Sequence, residues 1–320
     1  VEALAQKTLV VVHSSSLVEQ WIERVHDCYG MKAGVIAAGK RDIRPITIAL
    51  VQSLSRGCDD LLDQFGMVQL DEAHHCPADS FFRTVTQFPA RYRYGCSADS
   101  TRKDGKDFLC RDTFGDVLYR IGDDALDAEG VYMPVTIRVI ETEYDDPLYR
   151  ESKGASKDHV GMITDLTNDP ERNLLILDTV LREHDPTVRR PMLLLTERRE
   201  ACDYWHKTLN AHGIKTGLMI GGASSRKATE ETRRGLISGE IDCAVATQVA
   251  DEALDVPELA RLFVTCPTAR HRRRLTQQIG RLKRKAPGKV DAVAVYFLDT
   301  RIFRGDLKSL KRNFENVEVQ

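Results

Sequence analysis

Short apolar runs, rich in β-branched residues, alternate with helical patterns along most of the chain. The first run, TLVVVH at 8–13, precedes a segment in which Leu17, Trp21 and Val25 lie on one helical face. Strands that are apolar throughout and separated by helices must be covered on both faces, which is typical of parallel sheets. The predicted fold class is therefore α/β, with mostly parallel sheets flanked by helices. The runs predicted as strands are 8–13, 46–52, 67–71, 92–97, 191–196, 216–220, 243–247, 262–266 and 292–298.

The alternation is interrupted between residues 131 and 160. This segment contains one strand-like run, followed by a polar, charged stretch with serine and glycine. A chain of 320 residues is long enough for about two domains. We therefore predict two domains, 1–160 with the connecting segment and 161–320.

Composition and cysteine spacing exclude several classes of protein. Hydrophobic residues make up 42% and charged residues 29%, which is typical of globular proteins. No apolar run approaches the roughly 18 residues that span a membrane, so a membrane partner is not expected. The eight cysteines form no C-x-x-C pair and favour a reducing, intracellular location, in the cytoplasm, nucleoid or nucleus. The formal net charge is −2, so any affinity for nucleic acid must come from local basic patches.

Two adjacent acids stand where a predicted strand ends, in MVQLDEAHHCPADSFF at 67–82. In open α/β sheets, ligands bind beyond the carboxyl ends of the strands. Asp71 at that position can hold Mg²⁺, and its neighbour Glu72 can activate a water molecule. Two other interpretations remain: an exposed turn that begins the next helix, or a zinc hydrolase site with His74 and His75. Zinc is disfavoured because adjacent histidines cannot easily share one metal ion and the H-E-x-x-H order is absent.

The densest positive charge lies in TARHRRRLTQQIGRLKRKAPGK at 268–289. Arginine side chains on one side of a helix can fork onto phosphate groups, and a glycine among them permits close approach. The alternative is a solvated basic face; for the arginines at 272–274, a surface face and DNA contact are equally favoured. Four residues are three or four apart and therefore share one helical side: Gln277, Gly280, Arg281 and Arg284.

These segments and several others resemble the motifs of superfamily 2 helicases and translocases of the DEAD/DEAH-box type. The likeness is closest to the DNA-repair branch that includes XPB and UvsW. FGMVQLDEAHHCPADSF resembles motif II of that branch, and QQIGRLKR fits the motif VI pattern Q-x-x-G-R-x-x-R. The other matches follow in family order: TLVVVHSSSLVEQW (8–21) for motif Ia, ITIALVQSLSRG (46–57) for a segment that contacts nucleic acid, GCSADSTRKDG (95–105) for motif III, LTNDPERNLLI (166–176) for the start of the second domain, and ATQVADEALDVP (246–257) for motif V.

The resemblance implies two RecA-like domains and a motor that uses ATP and Mg²⁺. By this resemblance Asp71 would coordinate Mg²⁺, Glu72 would be the catalytic base, and His74 would couple motif II to motif III. The residues that would complete the nucleotide site are Arg281 and Arg284 at the phosphates, Gln277 and Gly280 in support, and Asp255 near the ribose.

The same resemblance implies a nucleic-acid partner held through its backbone. DNA is expected because the likeness is to the repair branch, with RNA as the alternative. The implied contact residues are Ser14, Gln52, Ser53, Arg102, Thr196 and Thr247.

One family motif, the phosphate-binding loop G-x-x-x-x-G-K-[ST], is absent from the sequence. The family places this loop before the strand at 8–13, so we expect a truncated or split gene product with an N-terminally incomplete first domain. An upstream segment or a separate chain would then supply the loop, and the chain alone would hydrolyse little ATP. The predicted function is an ATP-dependent helicase or translocase motor, and the alternative is a non-catalytic nucleic-acid-binding remnant. Asp99 and Ser100 in motif III and Ala253 in motif V also depart from the family pattern.

Overall fold

The computed structural model describes residues 4–73, 76, 79–97, 107–122, 130, 132–151, 156–221, 226–247, 256–266, 272–303, 305–314 and 316–320. The chain divides into two compact units, Val1–Arg120 and Ile121–Gln320. Each unit contains its own sheet and is considered separately. Within the described ranges, no helix is both long enough and apolar enough to cross a bilayer.

The first unit is built around a six-stranded sheet in the order β3-β2-β4-β1-β5-β6. All neighbouring strands are parallel except β2 and β3, which are antiparallel. Its strands are β1 (Thr8–Val12), β2 (Gly34–Ala37), β3 (Lys40–Asp42), β4 (Ile46–Leu50), β5 (Met67–Asp71) and β6 (Tyr92–Cys96). Its helices are α1 (Ser15–Tyr29), α2 (Val51–Leu54), a 3-10 helix (Asp59–Gln64), α3 (Asp79–Thr86) and α4 (Asp107–Phe114).

Strand β1 lies in the interior of this sheet, and all five of its residues are buried. Leu9 and Val11 pack into the cluster that contains Val68 and Leu70, whereas Val10 and its neighbours on the other face pack beneath α1. Because successive side chains of a strand point to opposite faces, a wholly apolar strand needs cover on both sides. The prediction of a sheet covered by helices on both faces is confirmed for this unit.

The second unit contains a seven-stranded sheet in the order β13-β7-β12-β11-β8-β10-β9, with every neighbouring pair parallel. Its strands are β7 (Thr136–Glu141), β8 (Met192–Thr196), β9 (Thr216–Met219), β10 (Cys243–Thr247), β11 (Arg261–Val264), β12 (Val293–Leu298) and β13 (Val317–Val319). Its helices are α5 (Pro147–Glu151), α6 (Ser156–Asn168), α7 (Pro170–Glu183), α8 (Arg199–Ala211), α9 (Arg226–Ser238), α10 (Arg272–Leu282) and α11 (Asp306–Asn313). The predicted α/β class with two mostly parallel sheets is therefore confirmed.

The boundary between the units falls after Arg120, whereas the sequence analysis placed it near residue 160. The difference comes from the segment 131–160, which was interpreted as a connector. Its strand β7 pairs in parallel with β12, from Thr136 beside Val293 to Glu141 beside Leu298. The segment therefore belongs to the second sheet, because β7 joins two other strands of that unit.

A buried ion pair fixes α7 against the carboxyl ends of β11 and β12. Arg172 donates from Nε to Oδ1 of Asp299 at 2.7 Å and from Nη2 to Oδ2 at 3.2 Å. The same Nη2 donates to the backbone oxygen of Thr265 at 2.6 Å, and the hydroxyl of Thr142 donates to Asp299. Only 1% of the Arg172 side chain and none of the Asp299 side chain is exposed. The pair is therefore fully desolvated, and its stability depends on these hydrogen bonds.

A second buried carboxylate, Asp306, should make the stability of this unit depend on pH. Burial raises the pKa of Asp306 to about 6. The negative charge of Asp299 also raises this pKa, whereas the hydrogen bond from Tyr296 lowers it. The Tyr296 hydroxyl donates to Oδ2 of Asp306 at 3.0 Å. Because the folded-state pKa lies above the ordinary value of 3.8, the folded state binds more protons between about pH 4 and pH 6. The contribution of Asp306 to the free energy of unfolding therefore falls as the pH rises from about 4 to about 6, and it stays low at higher pH.

We expect Asp306→Asn to raise the free energy of unfolding at pH 7.5 by about 1–3 kcal/mol, since one pKa unit corresponds to about 1.4 kcal/mol. The amide oxygen can still accept from Tyr296, so the hydrogen bond is kept. At pH 4 the gain should be near zero. Urea denaturation of both proteins at the two pH values measures the difference, with Asp178→Asn on the surface of α7 as the control. A loss of stability at pH 7.5 would contradict the assignment.

Candidate functional site

The carboxylate of Asp71 is held in one orientation where β5 ends. The indole Nε1 of Trp21 on α1 donates to Oδ2 at 2.8 Å. The backbone N–H of Glu72 donates to Oδ1 at 2.9 Å. A carboxylate has about four acceptor sites, so two remain to accept from a ligand or a hydrated cation. The predicted Mg²⁺ residue is thus oriented by a side chain fifty positions away in the sequence.

The next residue, Glu72, adopts a left-handed backbone conformation with φ of +51°. Such a conformation is costly for a residue with a Cβ atom, by about 1–2 kcal/mol. Here the left-handed residue directly follows the last residue of β5, so the chain turns away from the strand at this point. Strain of this kind is often found at functional sites, where the surrounding structure enforces it.

The turn also needs a glycine in the neighbouring strand. Gly95 of β6 lies beside Leu70, and a Cβ added to it would come within 2.7 Å of the Cβ of Ala73. It would also approach Phe114 of α4 to 3.0 Å. Gly95 therefore allows the segment after Glu72 to pack closely on β6 and α4.

Two thiols connect this loop to α4, the helix that follows motif III in the sequence. The Cys110 thiol donates to the backbone oxygen of Ala73 at 3.4 Å, and the Cys76 thiol lies 3.7 Å from the hydroxyl of Thr113. Burial raises the pKa of Cys76 to about 11, so this thiol stays protonated at neutral pH. His74 and Arg102, which were predicted to act here, lie outside the described residues.

The loops after β1 and β4 meet at the same edge of the sheet as Asp71. Ser14 follows β1, and its hydroxyl accepts from the backbone N–H of Leu17 at 3.4 Å, which caps α1. Gln52 follows β4 and donates to the backbone oxygen of His13 at 3.2 Å, and Ser53 beside it is partly exposed. The capped amino end of a helix carries partial positive charge, which favours a phosphate group. The structure therefore brings the predicted contact residues of motif Ia and of the segment after β4 together.

In the second unit, the predicted motif VI side of α10 is the exposed one. The intervening positions Gln278, Ile279 and Leu282 are buried. A Cβ added to Gly280 would meet no atom within 4 Å, so that position faces open space. Gln277, Gly280 and Arg281 are partly exposed on this helix. Arg284 is also partly exposed, but it lies beyond the end of α10 and forms an isolated bridge with Tyr132, so the predicted helical side does not extend to it.

The end of α10 is held by a lysine that sequence analysis did not single out. Lys289 donates to the backbone oxygens of Leu282 at 2.7 Å, Arg284 at 2.8 Å and Pro257 at 3.3 Å. A cation at the carboxyl end of a helix satisfies carbonyl groups that have no intrahelical partner. Burial lowers the pKa of Lys289 to about 8, although the carboxylate of Glu258 opposes this shift. Lys289 thereby joins the end of motif VI to the residue that ends motif V.

Two family models match the chain. The model for the type III restriction enzyme res subunit matches residues 1–100, and the helicase conserved C-terminal domain matches 174–286. The probable helicase D10 of Escherichia phage T5 is 28% identical over 295 residues, covering 91% of this chain and 62% of that protein. The DNA 3'-5' translocase XPB2 of Sulfurisphaera tokodaii is 24% identical, over 87% of this chain and 69% of that protein. The DNA 3'-5' helicase XPB of Mycobacterium tuberculosis is 23% identical, over 88% of this chain and 51% of that protein. The chain belongs to superfamily 2 of the helicases, in its XPB-like branch.

Solved helicase structures share the fold at low sequence identity. Saccharomyces cerevisiae Dbp5 bound to RNA and ADP BeF3 matches with a TM-score of 0.65 at 11% identity, over 98% of this chain and 76% of that one. The Pyrococcus furiosus Hef helicase domain matches with a TM-score of 0.59 at 13% identity, over 97% and 90%. The chain therefore has the fold of two RecA-like domains.

Two of the residues predicted to contact nucleic acid have buried side chains. Thr196 and Thr247 end the adjacent strands β8 and β10 and lie side by side. Only 1% of Thr196 is exposed, and its hydroxyl lies 3.6 Å from the thiol of Cys266. The Thr196 side chain is therefore enclosed, and the contact to nucleic acid predicted for this residue stays a prediction that concerns its backbone. Thr247 is 8% exposed, and Asp255 lies outside the described residues.

The described residues at the end of β5 fit a Mg²⁺ ion. Mg²⁺ is held by one or two carboxylates together with substrate phosphates and water, and the oriented Asp71 provides one such carboxylate. Among the described residues, no group of three or more histidine, cysteine, aspartate or glutamate side chains could hold a metal ion. His74 and His75, on which the zinc interpretation rested, are not among those residues.

Proposed function

We propose that this chain is part of an ATP-dependent motor that moves along DNA. The observation that carries the proposal is the oriented Asp71 carboxylate, followed by the strained turn at Glu72, on the sheet edge that also bears Ser14 and Gln52. A site for nucleotide and contacts to a nucleic-acid backbone are thereby available in one unit.

In the proposed mechanism, Glu72 accepts the proton of the water molecule that attacks the γ-phosphorus of ATP, and ADP is the leaving group. Asp71 would hold a Mg²⁺ ion, which would supply positive charge to the phosphates of ATP. In the second unit, Arg281 and Arg284 are the residues we assign to phosphate binding, since a guanidinium group can donate two hydrogen bonds to one phosphate. His74 couples hydrolysis to motif III, and Asp255 contacts the ribose.

We assign the nucleic-acid partner as DNA because relatives of this chain are described as a DNA 3'-5' translocase and DNA 3'-5' helicases. Contacts from Ser14, Gln52 and Ser53 would reach the sugar-phosphate backbone and would not read bases. Binding should then tolerate any sequence and weaken steeply with salt. The eight free thiols fit the proposed intracellular location.

The exposed edge of β6 is where we propose that a strand bearing the phosphate-binding loop adds to the first sheet. Among the described residues, β6 pairs with β5 alone. None of its five residues is buried, in contrast to the wholly buried β1. A sheet edge with unpaired backbone groups readily accepts a further strand.

Cysteine labelling tests this strand addition. Cys28 and Cys96 are the exposed cysteines, and Cys96 is the last residue of β6. We expect a maleimide to label Cys96 in this chain. In a version that carries any residues encoded before Val1, we expect the labelling to be at least about tenfold slower, because a buried group reacts only in the fraction of molecules that open. Cys28, at the far end of α1, should react equally in both versions. Equal labelling of Cys96 in both would contradict the proposed strand.

The motor and its rival, a nucleic-acid-binding remnant without turnover, are separated by ATP hydrolysis. The assay measures hydrolysis with and without DNA, for this chain and for a version that carries any encoded residues before Val1. Turnover that rises with DNA in either version supports the motor. Salt-sensitive DNA binding without turnover in both versions supports the remnant, and no DNA binding in either overturns both.

A further inference from the structure

The indole of Trp21 is placed to control the metal-binding carboxylate of the first unit. Trp21 lies in the second turn of α1. Its ring is partly buried and packs against the apolar cluster that includes Val10 and Ile48. From this anchored position its N–H reaches Oδ2 of Asp71 at 2.8 Å. The indole therefore cannot swing away without uncovering part of that cluster.

The sheet register explains why α1 can reach β5. Strands β1 and β5 are parallel neighbours, with Val11 beside Leu70. The Ser14 cap starts α1 just beyond the carboxyl end of β1, so the first turns of the helix rise over the edge where Asp71 lies. The hydrogen bond thus joins the nucleic-acid-contact loop of motif Ia to the nucleotide site of motif II.

The chemistry of the donor matters as much as its position. An indole N–H only donates, carries no charge and cannot ligate a metal ion. It therefore fixes one carboxylate oxygen without neutralising Asp71 or competing for the cation. With the Glu72 N–H on the other oxygen, both oxygens are held while lone pairs remain for a ligand.

We propose that Trp21 is a positioning residue that holds Asp71 in the orientation needed to bind the divalent cation. The inference rests on the proposed nucleotide site. Loss of partners that orient a metal ligand typically lowers metal affinity by about 10–100-fold. An interaction that only packed the core would leave metal affinity unchanged.

The test measures binding of Mn²⁺, an ion that suits the same oxygen ligands as Mg²⁺, to the full chain by electron paramagnetic resonance. We expect Trp21→Phe to raise the Kd about 10–100-fold, because phenylalanine keeps most of the apolar ring and removes the N–H. The chain has two tryptophans, and Trp205→Phe provides the matched control. Trp205 is 1% exposed and lies on α8 of the other unit, so its loss should change stability but not Mn²⁺ affinity.

The hydrogen bond itself has an independent readout. In a ¹⁵N-labelled chain the two indole N–H groups give separate signals, and Asp71→Asn should shift the signal of Trp21 while leaving that of Trp205 in place. If Asp71→Asn abolishes Mn²⁺ binding but Trp21→Phe leaves the Kd unchanged, the positioning role is overturned and the proposed function stands. If Asp71→Asn leaves Mn²⁺ binding unchanged, both are overturned.

Discussion

Replacing Glu72 by glutamine should lower DNA-stimulated ATP hydrolysis by about 10²–10⁴-fold, the usual contribution of a general base. Glutamine is nearly isosteric with glutamate, so the left-handed turn at φ of +51° has the same side-chain bulk to accommodate. The glutamine amide, unlike the glutamate carboxylate, cannot accept the proton of the attacking water. The expected loss is therefore chemical, and DNA binding and the melting temperature should stay close to those of the parent. The measurement is steady-state ATP hydrolysis in whichever version of the protein turns over ATP.

Glu23→Gln provides the matched control, because Glu23 is an exposed residue of α1 in the same unit. It removes the same charge at a distance from the strand end and should leave hydrolysis within about twofold of the parent, as surface substitutions are usually near neutral. If Glu72→Gln retained full turnover, Glu72 could not be the base, and the motor proposal would lose its chemical step. An equal loss in both variants would point to net charge as the cause.

Replacing Arg172 by methionine should lower the free energy of unfolding of the second unit by about 3–5 kcal/mol, the usual cost of removing one partner of a buried ion pair. Methionine fills much of the same space but leaves the Asp299 carboxylate, which has no exposed surface, with far fewer donors. The backbone N–H of Arg172 still binds the Asp169 side chain, so the cap of α7 is kept. Urea denaturation followed by Trp205 fluorescence in a Trp21→Phe background reports on this unit.

Arg182→Met on the same helix is the control for Arg172→Met. Arg182 pairs with Asp178 one turn away, and 77% of its side chain is exposed. Such surface pairs contribute about 0.5 kcal/mol or less. Adding Asp299→Asn to Arg172→Met should recover part of the lost stability, since the uncompensated buried charge is then removed. No recovery in the double variant would show that lost packing, not unpaired charge, causes the effect.

Sequence patterns predicted the regular elements well because the patterns report burial directly. The apolar runs at 67–71 and 243–247 coincide with β5 and β10. The predicted strand 46–52 ends at Leu50 because Val51 begins a helix, which an apolar residue alone does not reveal. The β2–β3 hairpin was not predicted, because β3 has the sequence KRD and lacks any apolar residue.

The site was predicted only where its residues are neighbours along the chain. The spacing of Gln277, Gly280 and Arg281 indicated one side of a helix, and all three lie partly exposed on α10 because helical geometry is local. The same spacing placed Arg284 on that side, but the helix ends at Leu282, which the sequence pattern does not show. Thr196 looked accessible at a strand end, but the neighbouring Cys266 covers its hydroxyl. Lys289 is one of several basic residues after α10, and only the folded chain distinguishes it by the three carbonyl groups it binds.

The sequence by itself determined the α/β class, most strands and the identity of the acidic pair, because periodicity and strand ends are properties of adjacent residues. Tertiary structure alone decided that Trp21 holds Asp71, that Arg172 meets Asp299 and that the segment 131–160 joins the second sheet. These contacts join residues far apart in the chain. Their existence follows from the order and register of the strands, which fix the positions that lie side by side.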